Sequence, residues 1–246
     1  MAKTLGILGG LGPAASVYFY QLITEHTKAV RDQDHLDIVL ISKASIPDRT
    51  DFILGRNPDS PLPAMIAGVE TLAAAGADVI AVPCNTAHYF YDELDRRSPV
   101  PVLNIVKETV RMAKRAGIKN LGIMATSGTV ITGAYQRACL SEGLGFTVPR
   151  EASQETLMDI IYHSIKAARE PDMSAFVQIA EELYAGGAEA IVLGCTELSL
   201  IRGLEKYPRF LFIDSQLALA YRAIEICEKV PKDFPAVYTG EAVALT

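Results

Sequence analysis

Short, wholly apolar runs alternate with longer stretches in which apolar and polar residues mix at helical spacing, along the whole chain. The pattern predicts a strand over Leu5–Gly9, then a helix over Ala14–Val30 with Pro13 seated in its first turn. A strand over Asp37–Ser42 follows, then a helix opened by Ser60-Pro61 and closed by Gly76. Strands over Asp78–Val82 and Val100–Leu103 lead to a helix over Val106–Ala116. Next come a strand over Leu121–Met124, a helix over Gly133–Glu142 and a strand over Phe146–Pro149. Two helices within Gln154–Arg169 and Met173–Ala185, strands over Ala190–Leu193 and Leu211–Ile213, and an amphipathic helix over Gln216–Lys229 complete the order. Apolar strands alternating with helices belong to parallel sheets covered on both faces. Ligands of such sheets bind beyond the carboxyl ends of the strands.

The pattern also repeats. Gly76-Ala77-Asp78-Val79-Ile80-Ala81-Val82-Pro83-Cys84 matches Gly187-Ala188-Glu189-Ala190-Ile191-Val192-Leu193-Gly194-Cys195: a helix-ending glycine, a small residue, an acid, an apolar run, then cysteine. Leu5-Gly6-Ile7-Leu8-Gly9 recurs as Leu121-Gly122-Ile123-Met124-Ala125, and each cysteine is followed by a further apolar strand. Two copies of such a unit predict two similar α/β domains related by a pseudo-two-fold axis, not a solenoid. Each is expected to be a mainly parallel four-stranded sheet flanked by helices, with the active site in the cleft between domains. The expected division is 1–105 plus 215–246 for the first domain and 106–214 for the second.

Composition narrows the function. Among 246 residues, 23 Lys and Arg face 29 Asp and Glu, a net charge of −6. That disfavours nucleic acid and anionic membrane as partners. No apolar run approaches the ~20 residues of a membrane span. Met1-Ala2-Lys3-Thr4 runs straight into a strand without the apolar core of a signal peptide. Together with four cysteines, this predicts a cytoplasmic protein with free thiols.

Of those cysteines, Cys139 and Cys227 sit within helices among apolar neighbours and read as packing. Cys84 and Cys195 each stand at a strand-to-helix turn, beside Asn85-Thr86 and Thr196-Glu197. A helix N-terminus lowers a thiol pKa, so both are expected to ionise readily. Two facing thiols suit a reaction that takes a proton from one side of a carbon and returns it from the other. His88, one helical turn after Cys84, is a candidate thiolate partner, weighed evenly against a capping or solvent-facing histidine. Gly10-Leu11-Gly12-Pro13-Ala14-Ala15 matches a dinucleotide fingerprint, but no acid ends the second strand to hold a ribose, so the glycines read as a tight turn. No C-x-x-C or Cys–His cluster suggests zinc, so no metal site is expected.

Pro83-Cys84-Asn85-Thr86-Ala87-His88, Gly194-Cys195-Thr196-Glu197-Leu198 and the opening Gly6-Ile7-Leu8-Gly9-Gly10-Leu11-Gly12-Pro13 resemble the aspartate/glutamate racemase superfamily, most closely its cofactor-independent aspartate racemases. The resemblance spans essentially the whole chain. It implies two similar α/β domains and a two-base mechanism on Cys84 and Cys195, without a cofactor. It implies an amino-acid substrate, L- and D-aspartate first and glutamate second, and a homodimer.

A second carboxylate on the substrate needs a cationic partner, and arginine's fork suits it. Arg49 occupies the position that resembles the family's substrate-binding arginine, and Lys166 the matching lysine of the second domain. Asn85, Thr86 and Thr196 are expected to hold the α-carboxylate. Thr126, Ser127 and Thr129, in the counterpart of the first loop, are expected on the amino group or carboxylate. Leu11, Thr50, Ala87 and Glu197 complete the expected substrate contacts. Two alternatives stay open: a maleate-isomerase-like or decarboxylase-like enzyme on the same scaffold, and a non-catalytic small-molecule binding protein.

Overall fold

Five consecutive buried residues, Leu5–Gly9, form β1 at the centre of a parallel sheet in the computed structural model, which describes residues 3–239. After it come α1 (Pro13–His26), β2 (Ile38–Ser42), α2 (Arg49–Ile53), α3 (Leu62–Ala74) and β3 (Val79–Ala81). A 3-10 turn over Thr86–Phe90 leads into α4 (Tyr91–Arg97) and α5 (Ile105–Arg115). The second half follows as β4 (Asn120–Met124), α6 (Ser127–Ile131), α7 (Ala134–Glu142), β5 (Gly145–Thr147) and α8 (Glu151–Asp159). A π-helical turn over Ile160–Ile165 precedes α9 (Met173–Ala185) and β6 (Ala190–Leu193). The chain continues through β7 (Phe212–Asp214), α10 (Ser215–Ile226) and α11 (Ala236–Thr239). The expected domain ranges include residues 1–2 and 240–246, which lie outside the described residues.

Two all-parallel sheets result, ordered β2-β1-β3 and β5-β4-β6-β7. The predicted strand over Val100–Leu103 is reduced to a single parallel bridge, Val102 to Ile80, so the first sheet has three strands where four were expected. Both ends of that bridge have a local cause. Upstream, the next rung needs an N–H from Pro101, which has none. Downstream, the His88 ring takes a group that would continue the ladder, its Nε2 accepting the Ile105 N–H at 3.3 Å.

The sequence repeat is a structural repeat. Gly76 and Gly187 both adopt left-handed backbone, φ +95° and +91°, to leave α3 and α9, a conformation that a side chain would strain. The repeated acids do the same work: Asp78 accepts the Thr4 N–H at 2.8 Å and Glu189 the Lys119 N–H at 2.6 Å, tying β3 to β1 and β6 to β4. Gly6 and Gly122 let the helices lie close on the strands, since a methyl group on either would meet Leu72 of α3 at 3.3 Å or Leu183 of α9 at 3.1 Å.

One core joins the facing sides of both sheets, from Leu5, Ile7 and Phe19 through Val110 to Ile123, Ile213 and Leu219. A separate core fills the outer side of each half. Helix boundaries moved where tertiary contacts intervene. The helix predicted from Ala14 to Val30 ends at His26, where Thr27 bridges to Pro231. The helix predicted within Gln154–Arg169 changes to π pitch after Asp159. Among the described residues, no helix is long and apolar enough to cross a membrane.

Candidate active site

Cys84 follows β3 and Cys195 follows β6, so both lie beyond the carboxyl ends of central strands. They line one cavity between the halves, together with Leu11, Asp48, Arg49, Thr50, Asn85, Thr86, Thr126, Tyr162, Lys166, Thr196 and Glu197. The cavity measures about 10 Å³, room for about one water molecule. Cys84 and Cys195 are 5 % and 4 % exposed, so they are equally enclosed.

Three of the expected residues stand elsewhere. Ala87 packs into the outer core of the first half and does not line the cavity. Thr129 stands behind the wall, 3.1 Å from the hydroxyls of both Thr86 and Thr126, which are themselves 2.8 Å apart. These three hydroxyls fasten the two halves together at the cavity edge. Ser127 faces a neighbouring groove with Asp51, Arg56 and His163.

Arg49 begins α2, whose start is fixed by the Asp48 carboxylate accepting the Thr50 and Asp51 N–H groups at 2.8 and 3.0 Å. This five-residue helix is too short for sequence periodicity to reveal. It buries Arg49 to 7 % exposure. Nη1 donates to the Pro47 and Ile46 carbonyls at 3.1 and 3.4 Å, and Nη2 to the Leu11 carbonyl at 2.9 Å. Nε is buried and has no partner among the described residues. Burial opposes the guanidinium charge, yet neighbouring Cys84 and Asp48 outweigh it and hold the pKa above its usual value.

The histidine expectation is corrected. His88 is buried, and its Nδ1–H donates to the Cys84 carbonyl at 2.8 Å while Nε2 accepts from Ile105. It bonds the backbone, not the thiol, and burial keeps its pKa below the ordinary value. Asn85 is held just as firmly: its Oδ1 accepts from Tyr135 at 2.7 Å and its Nδ2 donates to Ser215 at 2.9 Å. Among the described residues, the backbone N–H groups of Asn85 and Thr196, each directly after a cysteine, donate to no protein acceptor.

The expectation that Cys195 ionises readily is also corrected. The helix after it is a single 3-10 turn, Leu198–Leu200, too short for a strong dipole. Burial, then the Glu197 carboxylate, push the thiol well above its ordinary pKa. Its Sγ donates to Glu197 Oε2 at 3.0 Å. Glu197, expected among the substrate contacts, therefore binds the cysteine. Its Oε1 lies 3.5 Å from Lys166 Nζ, which also sits 4.6 Å above the Tyr162 ring. Burial works against the Lys166 charge, but Glu197 and Tyr162 raise its pKa overall.

Asp48 and Tyr162 were missed in the sequence. The Tyr162 hydroxyl donates to Asp48 at 3.2 Å, linking the halves across the cavity. A signal existed for Tyr162: it precedes Lys166 by four residues, the spacing of one helix face. Among the described residues, no three His, Cys, Asp or Glu side chains gather as metal ligands.

The family model for Asp/Glu/hydantoin racemases matches residues 8–223. This chain belongs to the Asp/Glu/hydantoin racemase family. By that membership it is an isomerase of the racemase type. Its fold matches the Picrophilus torridus aspartate racemase with a TM-score of 0.82 and 31 % identity, covering 96 % of this chain and 99 % of that one. The Bacillus subtilis broad specificity amino-acid racemase RacX is 27 % identical over 203 residues, 80 % of this chain and 86 % of that protein. A Corynebacterium diphtheriae glutamate racemase is 28 % identical over 182 residues, 69 % of this chain and 67 % of its own.

Proposed function

We propose that this family member interconverts L- and D-aspartate by a two-base mechanism on Cys84 and Cys195. The observation that carries the reading is that the two matched cysteines, one from each half, line a single cavity with a buried arginine whose Nε–H lacks an acceptor among the described residues. One cysteine as thiolate takes the α-proton. The other, as thiol, delivers its own proton to the opposite face of the planar carbanion. The pair carries one proton before and after, so the step balances without an external acid.

The intermediate needs its α-carboxylate neutralised, and fixed donors do this without reorganisation. In this reading the N–H groups of Asn85 and Thr196, which donate to no acceptor among the described residues, supply those donors, one from each half. Nη1 of Arg49 and one Nη2–H are already bonded to carbonyls, so its Nε–H and remaining Nη2–H form the edge that faces a distal carboxylate. Lys166 is paired with Glu197 and supplies less free charge, which makes Arg49 the principal anchor. The similarity to an aspartate racemase over nearly the full chain supports aspartate over glutamate. An amino acid does not fit the closed cavity, so the walls part to admit it and close to exclude water.

Chiral chromatography after incubation with each L-amino acid tests the reading, with aspartate expected to racemise fastest without added cofactor. Cys84→Ala and Cys195→Ala should each abolish racemisation, while Cys139→Ala and Cys227→Ala should not. Full activity in either active-site variant would sink the two-base assignment.

A further inference from the structure

The surroundings of the two cysteines are unlike in charge. A cation, Arg49, neighbours Cys84, whereas an anion, Glu197, touches Cys195 at 3.0 Å. Their enclosure is the same, so this contrast is electrostatic and not one of access. We propose that Glu197 is a positioning residue that keeps Cys195 as the thiol of the pair, so that the free enzyme takes its first proton on Cys84. This deepens the two-base reading and rests on it.

Three features hold the carboxylate there. Lys166 anchors Oε1 at 3.5 Å, leaving Oε2 to accept the thiol proton. The Thr196 hydroxyl donates to the same Oε2 at 3.4 Å. The third is a missing side chain: a methyl group on Gly12 would lie 2.5 Å from Glu197 Oε1. Gly12 caps α1 in extended backbone, φ −123°, which any residue adopts. Space for the carboxylate, not backbone freedom, is therefore what glycine provides. The glycine turn of the first half thus seats the acid of the second.

The consequence is a directed proton inventory. In turnover of one enantiomer, Cys84 gains the α-proton and Cys195 loses its own to the product. That leaves a Cys195 thiolate against the Glu197 carboxylate, two anions in contact. Returning a proton to Cys195 and releasing one from Cys84 restores the resting pair, either through water or by turnover of the opposite enantiomer. Atoms and charge balance in both routes. The charged and titratable groups facing Cys195 are Glu197 on its own turn, Tyr162 on the π-helical turn and Lys166 directly after it, and Cys84, Arg49 and Asp48 across the cavity. Removing the Glu197 charge both relieves the repulsion and frees Lys166 to attract a Cys195 thiolate.

Alkylation by iodoacetamide without substrate, with peptide mapping of each cysteine across pH 7–9, tests this directly. Thiolate is the reactive form. In the native protein, Cys84 should be labelled at least about tenfold faster than Cys195, the ratio that one pKa unit produces. Glu197→Gln should cut that ratio by about tenfold and move Cys195 labelling to lower pH. Gly12→Ala, which displaces the carboxylate without removing it, should change the ratio in the same direction. Equal labelling in the native protein, or an unchanged ratio in both variants, would overturn the proposal. Because no substrate is present, failure of the protein to racemise aspartate would count against the proposed activity and leave this measurement readable.

Discussion

Replacing Arg49 with lysine keeps one positive charge and removes a shaped set of donors. In the native site, three N–H groups are fixed on the Leu11, Ile46 and Pro47 carbonyls. That leaves Nε–H and one Nη2–H as a bidentate edge, with Nε buried and unpartnered among the described residues. Lysine has three donors on one atom, cannot serve three backbone carbonyls and a ligand together, and has no second atom for a fork. A hydrogen bond to a charged group contributes about 1.5–3 kcal/mol. Losing one such bond to the distal carboxylate should lower kcat/KM for aspartate about 10- to 150-fold, at 1.36 kcal/mol per decade. The loss should be selective, because alanine has no distal carboxylate. The assay is racemisation of aspartate, glutamate and alanine by chiral chromatography, with near-ultraviolet circular dichroism to confirm the fold. If Arg49→Lys slows alanine as much as aspartate, the arginine serves Cys84 or the α-carboxylate instead. If aspartate kinetics are unchanged, the anchor lies elsewhere and the reasoning fails.

Two further outcomes follow from buried contacts. Tyr135→Phe removes the hydroxyl that donates to Asn85 at 2.7 Å and leaves a buried acceptor unpaired. It should cost about 1–3 kcal/mol, or roughly 2–12 °C in melting temperature, and lower kcat by loosening Asn85. A calorimetric midpoint within about 1 °C of the native protein would contradict the role given to this bond. His88 is held neutral in the fold, with its pKa depressed below the ordinary 6.5. The unfolded chain therefore binds the extra proton first as pH falls. Stability from this residue is complete above pH 6.5 and declines below it by up to about 1.4 kcal/mol per unit until the folded pKa is reached. Urea denaturation between pH 5 and 8 should show this slope in the native protein and lose it in His88→Asn. Parallel curves for the two proteins would refute it.

The repeat was legible in the sequence because its signals are local. Gly76 and Gly187 mark helix ends through their own backbone, the apolar runs mark buried strands, and each cysteine follows its glycine by the same interval. From that came the parallel sheets, the ligand end and a pair of thiols facing one space. Arg49 was legible through charge and position, but the short helix that buries it depends on the Asp48 cap.

What the sequence could not supply was the choice of partners across the halves. Nothing local distinguishes Glu197 as a substrate contact from Glu197 as the acceptor of a Cys195 proton. That depends on Lys166, thirty-one residues earlier, and on space left by Gly12 in the other half. His88 at its helical spacing suggested a thiolate partner, yet its ring closes the gap where the fourth strand of the first sheet stops. Tyr162 with Asp48, Tyr135 with Asn85, and the three threonine hydroxyls likewise meet only when the two sheets dock. Strands and caps follow from neighbours along the chain. The ionisation of a buried thiol follows from whichever charges packing brings within a few ångströms, and only the tertiary structure decides which those are.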